Sequence, residues 1–378
     1  MNEQSFLSSP LYLEAQEAAK TIISDASARR LDIFGKTWFS KHFTMSDFAR
    51  TEGEFTAILA DLHAAPAAST INQYSERPLR SLEGFGKVKA EMLTHAHTYK
   101  LEAEDLRAIA IQQRILNRYE DRAKLMDYIV KRLMNVRERA IKGVLNRLDY
   151  IVLTLLSNEG KYTFTADNDP GSPYVGQTID FGFDPANAGN VNTAWTEANK
   201  STVNILEDVM DVYQNAEVKP TKMLMRTEQL MYMLTTDKMK LYVNGSDRAS
   251  APISVEDVNR LFAKYGLPSI ELVQSEIRID KEGGKKRNLI QPWKEGKILF
   301  VPQDHFGTIE HQVTDADLDL KSPGVEYSKF NNIEVTNWTQ GLKEGTNYTE
   351  FTSAAITATP VVDIIGNMYS LDVLNTAQ

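Results

Sequence analysis

The residues best suited to chemistry lie in the stretch GKILFVPQDHFGTIEH, which ends at His311. It places Asp304, His305 and His311 close together in sequence. Carboxylates and imidazoles are side chains that hold zinc or move protons. A zinc site needs three or four converging ligands, however, and adjacent residues of an extended chain point to opposite sides. The spacing therefore argues against a site formed by Asp304 and His305 together.

The alternative interpretation of this stretch is structural. It consists of a buried strand, a turn at Pro302 and a second strand that begins after Gly307. The chain has 6 histidines and no helical His-x-x-x-His pair, and histidines outside a motif are usually structural. We therefore predict no catalytic residue, no cofactor-binding residue and no metal ligand.

Two further groups could bind a cation. The HAH of His95 to His97 places two rings on one face of a strand, which could hold a metal weakly. The run TDADLDL carries Asp315, Asp317 and Asp319 at alternate positions, which suits a hard cation. The same alternation protects the exposed edge of a sheet, and a solvated edge strand is the prediction for this run.

Composition excludes several classes of protein. The chain has 378 residues and a net charge of -9, with 42 Lys and Arg against 51 Asp and Glu. An acidic chain is not a dedicated DNA-coating protein, because phosphate binding needs clustered positive charge. The absence of cysteine excludes disulfides, thiolate metal sites and cysteine nucleophiles. We expect no signal peptide and no membrane partner, since no stretch is apolar over the length of a span.

A long helix is the strongest structural signal. From Leu106 to Leu156 the chain has no proline, and apolar residues recur every three or four positions. The predicted apolar face includes Leu133 and Val144, and it packs on a sheet. Basic residues on the helix could face nucleic acid or pair with carboxylates of neighbouring subunits. They are Arg114, Arg118, Arg122, Lys124, Lys131, Arg132, Arg137, Arg139, Lys142 and Arg147.

The segments before this helix predict helices and a ribbon. SPLYLEAQEAAKTIISDAS predicts a helix with Pro10 in its first turn, and MSDFARTEGEFTAILADLH predicts another. KVKAEML and HAHTYKLE predict two strands of one projecting ribbon. Aromatic residues such as Tyr12, Trp38, Phe39 and Phe43 lie in broken contexts, so we expect them to become buried only on assembly.

The segments after the long helix alternate between strands and helices, which predicts an α+β domain. TEANKSTVNILEDVMDVYQNA, RTEQLMYMLTTDKMKLY and SVEDVNRLFAKYGLP predict helices, the last one beginning at Ser254 and ending at Gly266. KPTKMLM and GKILFVP predict buried strands, and SIELVQSEIRID predicts another strand. NNIEVTNWTQGL and TEFTSAAITATPVVDI alternate as strands in a β-rich final segment.

This order of parts resembles the major capsid proteins of tailed bacteriophages, which share the Hong Kong ninety-seven fold. In layout it is most similar to the lambda-type major capsid protein E family. RLDYIVLTLLSNEGKYTF resembles the end of that family's spine helix, and TIDFGFDP with the helix after Trp195 resembles the entry to its axial domain. The family's hairpin is resembled by YGLPSIELVQSEIRID together with GKILFVPQDHFGTIEH. Its return to the peripheral domain is resembled by KSPGVEYSKF. The resemblance runs from about Ala65 onward.

The resemblance implies an α+β capsid fold with five parts. These are an N-terminal arm (1–65), an extended β-ribbon loop (66–105), a peripheral domain with the long spine helix (106–190), an axial domain (191–320) and a return segment to the peripheral domain (321–378). No long N-terminal scaffold domain precedes them, so we expect a separate scaffolding protein.

The resemblance also implies the function. It predicts a major capsid protein that forms hexamers and pentamers of an icosahedral head shell, assembles in the host bacterial cytoplasm and encloses DNA in the virion. Scaffolding, portal and decoration proteins are the implied partners, and DNA would contact the inner face without sequence specificity. The alternatives are an encapsulin-like nanocompartment shell, an unrelated tail or portal component, and an α+β hydrolase.

One chemical property of the fold's founding member is not expected here. In that protein a Lys of the projecting loop joins covalently to an Asn of a neighbouring subunit, with a carboxylate nearby as the base. This chain has Lys87 and Lys89 on the predicted ribbon and Asn331, Asn332 and Asn337 in the return segment. The residue types match but their spacing shows no such arrangement, so we predict a non-covalent shell.

Overall fold

The computed structural model describes residues 10–28, 37–52, 54–58, 87–101, 104, 106–111, 122–169, 172–248, 250–280, 287–341 and 348–375. Residues 106–111 are helical. The longer helices are α1 (Pro10–Ala28), α2 (Arg122–Ser157), α3 (Ile205–Asn215), α4 (Thr227–Thr235), α5 (Asp237–Asn244) and α6 (Val255–Tyr265). The strands are β1 (Phe43–Met45), β2 (Glu54–Ile58), β3 (Lys87–Glu91), β4 (Thr94–Leu101), β5 (Lys161–Thr163), β6 (Thr178–Asp180), β7 (Ala188–Asn190), β8 (Lys222–Met225), β9 (Ser269–Leu272), β10 (Ile277–Asp280), β11 (Arg287–Ile290), β12 (Lys297–Val301), β13 (Gly307–His311), β14 (Val325–Phe330), β15 (Ile333–Gly341), β16 (Tyr348–Val362) and β17 (Tyr369–Asp372).

A six-stranded sheet is organised around β16. Its order is β1-β13-β16-β15-β14, and β4 also pairs with β16. β16 pairs antiparallel with β15 and β4 through its first part and with β13 through its last residues. β13 begins at Gly307, where an added Cβ would lie 2.0 Å from the Val361 carbonyl oxygen. A side chain at this position would push the two strands apart.

A five-stranded sheet forms a second layer with helices α3 to α6. Its order is β7-β17-β12-β8-β9. Every residue of the central strand β12 is buried, as its continuous apolar sequence predicts. α6 begins with a capping box between Ser254 and Asp257 and ends at Gly266, in the left-handed conformation. The predicted limits of this helix and the predicted α+β class are confirmed.

The long helix α2 joins these layers. Its 36 residues span about 54 Å. It ends at Ser157, and the N–H of Gly160 donates to the Leu155 carbonyl at 2.8 Å with Gly160 at φ +73°. Val144 packs in the main core, as predicted. Leu133 is buried too, but in a smaller cluster with the N-terminal helix α1 and Leu101 of β4.

The predicted N-terminal organisation is partly wrong. α1 is confirmed, but the helix predicted over 45–63 is not, because residues 54–58 form β2; residues 59–63 lie outside the described part. β3 and β4 do not pair with each other. β3 pairs with β2, whereas β4 joins the six-stranded sheet beside β16. Pairing with a strand some 250 residues away overrode the local ribbon pattern.

Four aromatic residues expected to be buried only on assembly are buried within the single chain. Tyr12, Trp38, Phe39 and Phe43 all lie in its cores. Trp38 and Phe43 contact Phe306, and the N–H of Phe39 donates to the Asp149 carboxylate of α2 at 2.7 Å. The described segment from residue 37 to residue 45 is therefore part of the folded body.

Two other predicted elements are split. The helix predicted over RTEQLMYMLTTDKMKLY is interrupted at Thr236, whose ψ of 140° is extended, giving α4 and α5. The strand predicted over SIELVQSEIRID divides into β9 of the five-stranded sheet and β10, which forms a hairpin with β11. The helix predicted over TEANKSTVNILEDVMDVYQNA is shorter than predicted, because it begins only at Ile205.

Candidate functional site

Asp304, His305 and His311 have different surroundings. Asp304 is exposed and its carboxylate lies 2.8 Å from the Lys222 ammonium. His305 is exposed. His311 is buried in β13, where burial lowers its pKa. β12 and β13 are strands, as predicted, but they are not a hairpin. They belong to different sheets, and residues 302–306 carry the chain from one sheet to the other.

Asp304 belongs instead to a cluster that the sequence did not reveal. His42 Nδ1 lies 2.8 Å from the Asp304 carbonyl oxygen, and His42 Nε2 lies 2.7 Å from Glu271 Oε1. The other Glu271 oxygen lies 2.8 Å from the Lys222 ammonium. Hydrogen bonds from His42 and Lys222 hold the pKa of Glu271 down, at about 2. These residues are far apart in sequence, so no spacing could have indicated the cluster.

A second cluster is buried between α1, α2 and the six-stranded sheet. Arg137 of α2 donates to Gln16 Oε1 at 2.6 Å, and Gln16 Nε2 donates to Glu350 Oε1 at 2.5 Å. Tyr12 donates its hydroxyl proton to the other Glu350 oxygen. A guanidinium only donates, so the Asn337 amide presents its oxygen to Arg137 Nε at 3.0 Å.

This second cluster fastens the N-terminal helix to the body. Arg137 is 1% exposed and Glu350 2% exposed. Burial raises the pKa of Glu350 and of Tyr12 and lowers the pKa of Arg137. The sequence interpretation had placed Arg137 on a solvated or DNA-facing surface, which is wrong for this residue.

His95 and His97 line one groove between β4 and α2, with a volume of about 820 Å³. They share a face of the strand, as predicted, but they do not lie on a projecting ribbon. His95 is buried, and desolvation followed by the charge of Arg147 lowers its pKa to about 4. The ring is therefore neutral at neutral pH. His97 packs on Tyr99 at a ring separation of 4.7 Å.

Several basic residues of α2 pair with carboxylates of their own chain. Lys131 lies 2.7 Å from Asp127, and Lys142 lies 2.6 Å from Glu138. Arg147 pairs with Asp169. Arg114, Arg118 and the side chain of Arg122 lie outside the described residues. A DNA-facing role for this helix stays a prediction.

The acidic run is not an edge strand. Residues 315–319 form turns, and Asp319 has a positive φ of 58°. Asp317 pairs with Lys329 at 2.8 Å, and Asp319 with Lys321 at 3.4 Å. Across the described ranges, no group of three or more His, Asp or Glu side chains is arranged to hold a metal ion. Among the helices that the structure describes, none has the length and apolar character to cross a membrane.

Comparison with known proteins identifies the family. The model of the phage major capsid protein E family matches residues 65–330. The chain belongs to this family. A search of curated proteins finds no match in sequence.

One solved structure agrees with the family assignment at the level of fold, and two others are similar at lower scores. A crystal structure assigned as the capsid protein of a prophage of Escherichia coli CFT073 is similar with a TM-score of 0.54 and 11% identity, covering 92% of this chain and 97% of that one. A phage-related protein from Bordetella bronchiseptica RB50 gives a TM-score of 0.44 at 11% identity, covering 95% and 98%. The capsid protein of Myoviridae phage XM1 gives 0.43 at 11% identity, covering 89% and 91%.

The family and the first of these likenesses confirm the predicted fold and function. This capsid protein E family member has the Hong Kong ninety-seven type of α+β fold and is a subunit of the head shell of a tailed bacteriophage. Its two largest sheets are joined through residues 302–306, and the polar clusters described above lie on them.

Proposed function

We propose that copies of this capsid protein associate as hexamers and pentamers, close into an icosahedral shell and enclose the phage DNA. The family match over residues 65–330 carries the proposal. The fold supports it, because a shell subunit needs adhesive surfaces rather than a catalytic cleft, and many modest contacts together stabilise a closed shell. In this proposal the role is structural and not enzymatic.

The proposal assigns roles to parts of the chain. Residues 1–65 would be the N-terminal arm, which packs on the body through α1 and residues 37–45, and 66–105 would hold the extended loop, which returns to the body at β4. Residues 106–190 and 321–378 would be the peripheral domain, and 191–320 the axial domain. Scaffolding and portal proteins would be partners during assembly in the host cytoplasm, and a decoration protein would bind the finished shell. DNA would contact the inner face through its phosphates, without sequence specificity.

Electron microscopy of the overexpressed protein tests this proposal. We expect closed shells or curved sheets, whereas discrete small particles would contradict it. Closed shells would also fit a nanocompartment protein, so a second measurement is needed. Mass spectrometry of DNA-filled particles from a phage lysate should find this chain as the most abundant protein. Elemental analysis of the same particles should find no metal in stoichiometric amount.

A further inference from the structure

Strand β4 forms an edge of the six-stranded sheet. It pairs with residues 350–357 of β16, and no other strand in the described part of the chain pairs with it. Proteins usually protect such edges with proline, bulges, short strands or several charges, because an unpaired edge accepts a strand from another chain. β4 has eight residues, no proline and one lysine. Its edge is therefore open to pairing.

The register shows which backbone groups of β4 face outward. The Ala358 N–H donates to the Leu93 carbonyl at 2.9 Å, so these two residues form a hydrogen-bonded pair where the ladder begins. Bonded and non-bonded pairs alternate along an antiparallel ladder. The N–H and C=O groups of Thr94, Ala96 and Thr98 therefore point away from β16. Among the described residues they have no backbone partner.

A groove of about 820 Å³ runs beside this edge, between β4 and α2. Successive side chains of a strand point to opposite faces of the sheet. Both His95 and Ala96 line the groove, so it extends to the edge that separates the two faces. On one side α2 approaches the strand closely at Gly143, where an added Cβ would lie 2.8 Å from His97 Cγ. The edge and the groove thus form one continuous surface.

The groove combines aromatic walls with a buried polar atom. Tyr99, Tyr150, Phe164 and Tyr174 line it and present apolar ring surface. His95 lines it too, and its buried Nε2 makes no hydrogen bond to any residue that the structure describes. Buried polar atoms in proteins are normally paired. The groove therefore suits an occupant that has both apolar side chains and hydrogen-bonding groups.

The charge of the groove is positive, although the chain as a whole carries -9. Asp169 is the one carboxylate among the described residues that line it. Lys142 and Arg147 also line it, but each pairs with a carboxylate of its own chain. Arg139 and Arg278 are exposed and form no ion pair within the described residues. Two unpaired guanidinium groups favour an anionic occupant.

The open edge indicates which class of anion fits. A peptide backbone repeats one N–H and one C=O per residue, which matches the outward groups of Ala96 and Thr98. A nucleic-acid backbone presents phosphates and lacks this repeat. The acidic run of this chain, residues 315–319, forms turns and does not supply a strand.

We propose that β4 and its groove bind an extended, acidic segment of a different protein. The segment adds to β4 as a further strand and places its carboxylates against Arg139 and Arg278. Main-chain pairing then supplies affinity, while the two arginines select for negative charge.

Fluorescence anisotropy on the unassembled full-length subunit tests the proposal. The probe is a labelled peptide of eight residues, the length of β4, in which glutamate and valine alternate. It should bind saturably, whereas a peptide alternating lysine and valine should not. Hydrogen exchange with mass spectrometry should show higher protection of residues 94–100 when the acidic peptide is bound, because strand addition pairs the outward amides.

Two variants separate the parts of the surface. Ala96→Pro removes an outward donor but none that faces β16, and proline is tolerated at such edge positions. It should weaken binding of the acidic peptide by about tenfold or more, and so should Arg139→Glu combined with Arg278→Glu. Ala96→Ser and the exposed Arg248→Glu are the matched controls and should bind as the wild type does.

Several outcomes would overturn the proposal. They are no binding of the acidic peptide, equal binding of the lysine peptide, and unchanged protection of residues 94–100. Single-stranded DNA that binds through Arg139 and Arg278 in place of the acidic peptide would assign the groove to nucleic acid. Loss of self-association in Ala96→Pro, with the purified chain alone, would assign the edge to a second copy. If Ala96→Pro does not fold, the arginine variant and the exchange measurement decide.

Discussion

At the scale of single residues, the most consequential is Arg137. It occupies the same helix face as Leu133 and Ala140, yet it is almost fully buried. A buried guanidinium is tolerated when its hydrogen bonds are satisfied, and Gln16 and Asn337 accept from it here. Removing one member of such a cluster leaves a buried charge without compensation.

We therefore expect Arg137→Met to destabilise the subunit by about 3–5 kcal/mol, because Glu350 would remain buried without its cation. Denaturant unfolding of the unassembled subunit measures this change. Arg139→Met is the matched control, since Arg139 is exposed on the same helix. The double variant Arg137→Met with Glu350→Gln should recover part of the loss. Equal effects of Arg137→Met and Arg139→Met would contradict the assignment.

Asp363 predicts a stabilising substitution. Burial, with the charge of Glu310, raises the pKa of Asp363 to about 6. The folded state then binds a proton more tightly than the unfolded state, so this residue lowers stability as pH rises from about 4 to above 6. Asp363→Asn should raise stability by about 2 kcal/mol at pH 7.5.

The difference caused by Asp363→Asn should disappear near pH 2.5, well below the ordinary pKa of an aspartate, where the carboxyl group is protonated in both states. Thermal unfolding at the two pH values checks this expectation. The exposed Asp315→Asn serves as the control and should change little at either pH. A substitution at Asp363 that destabilises the protein at pH 7.5 would show that its carboxylate has an unrecognised partner.

At the scale of elements, the β2–β3 ribbon can be separated from the body. Glu54 and Glu91 are Cα partners at one end of this pair. The chain therefore leaves the folded body and returns to it at neighbouring points. Met92 and Leu93, which follow directly, are buried in the main core and must be kept.

Replacing residues 54–91 with two glycines should leave a folded, soluble subunit that forms no closed shell. The physical reason is that the extended loop of a shell subunit is proposed to gain its stabilising contacts from other copies. Circular dichroism checks folding, and electron microscopy checks assembly. A second deletion that extends to His97 is the control and should not fold, because it removes part of β4. Normal shells from the first variant would rule out a role for the ribbon between subunits.

Elements with local signals were predicted well from sequence. Ser254 and Gly266 indicate the two ends of α6, and the apolar run of β12 indicates a buried strand. Strand partners were not predictable in this way. The sequence predicted β4 as one strand of a two-stranded ribbon, whereas its partner in the structure is β16. The helix predicted from Met45 onward does not form in the described residues. Phe48, one of its apolar residues, is 83% exposed, and residues 54–58 pair with β3 instead.

The polar clusters were beyond sequence reasoning for the same physical cause. His42, Lys222, Glu271 and Asp304 are brought together by parallel pairing of β8 with β9 and by the crossover between sheets. No sequence motif indicates that these four residues lie together. The sequence interpretation did indicate that the stretch around Asp304 is structural, and it correctly placed its two strands.

At the scale of the whole molecule, the shell is expected to be held by non-covalent contacts. Asn337 is buried within its own subunit against Arg137 and Thr352, so a lysine of a neighbouring subunit has no access to it. Lys87 and Lys89 lie on β3.

Boiled particles should therefore run on a denaturing gel as one band near 42.6 kDa, the mass of the single chain. A ladder of larger species would contradict this expectation. If such a ladder disappeared in Lys87→Ala or Lys89→Ala, it would identify the ribbon as the site of the covalent bond. Ser322→Ala is a suitable control, because its side chain takes no part in either cluster described above.

The position of β16 has a consequence for how the protein is made. This strand holds β4, β13 and β15 together, and β17 completes the contact of β12 with β7. Neither of the two large sheets can therefore form completely until residues 348–372 have left the ribosome. Until then the part of the apolar face of α2 that packs on β16 is uncovered, which exposes the nascent chain to aggregation and to chaperones. Chains terminated before β16 would be removed by proteolysis rather than built into a head.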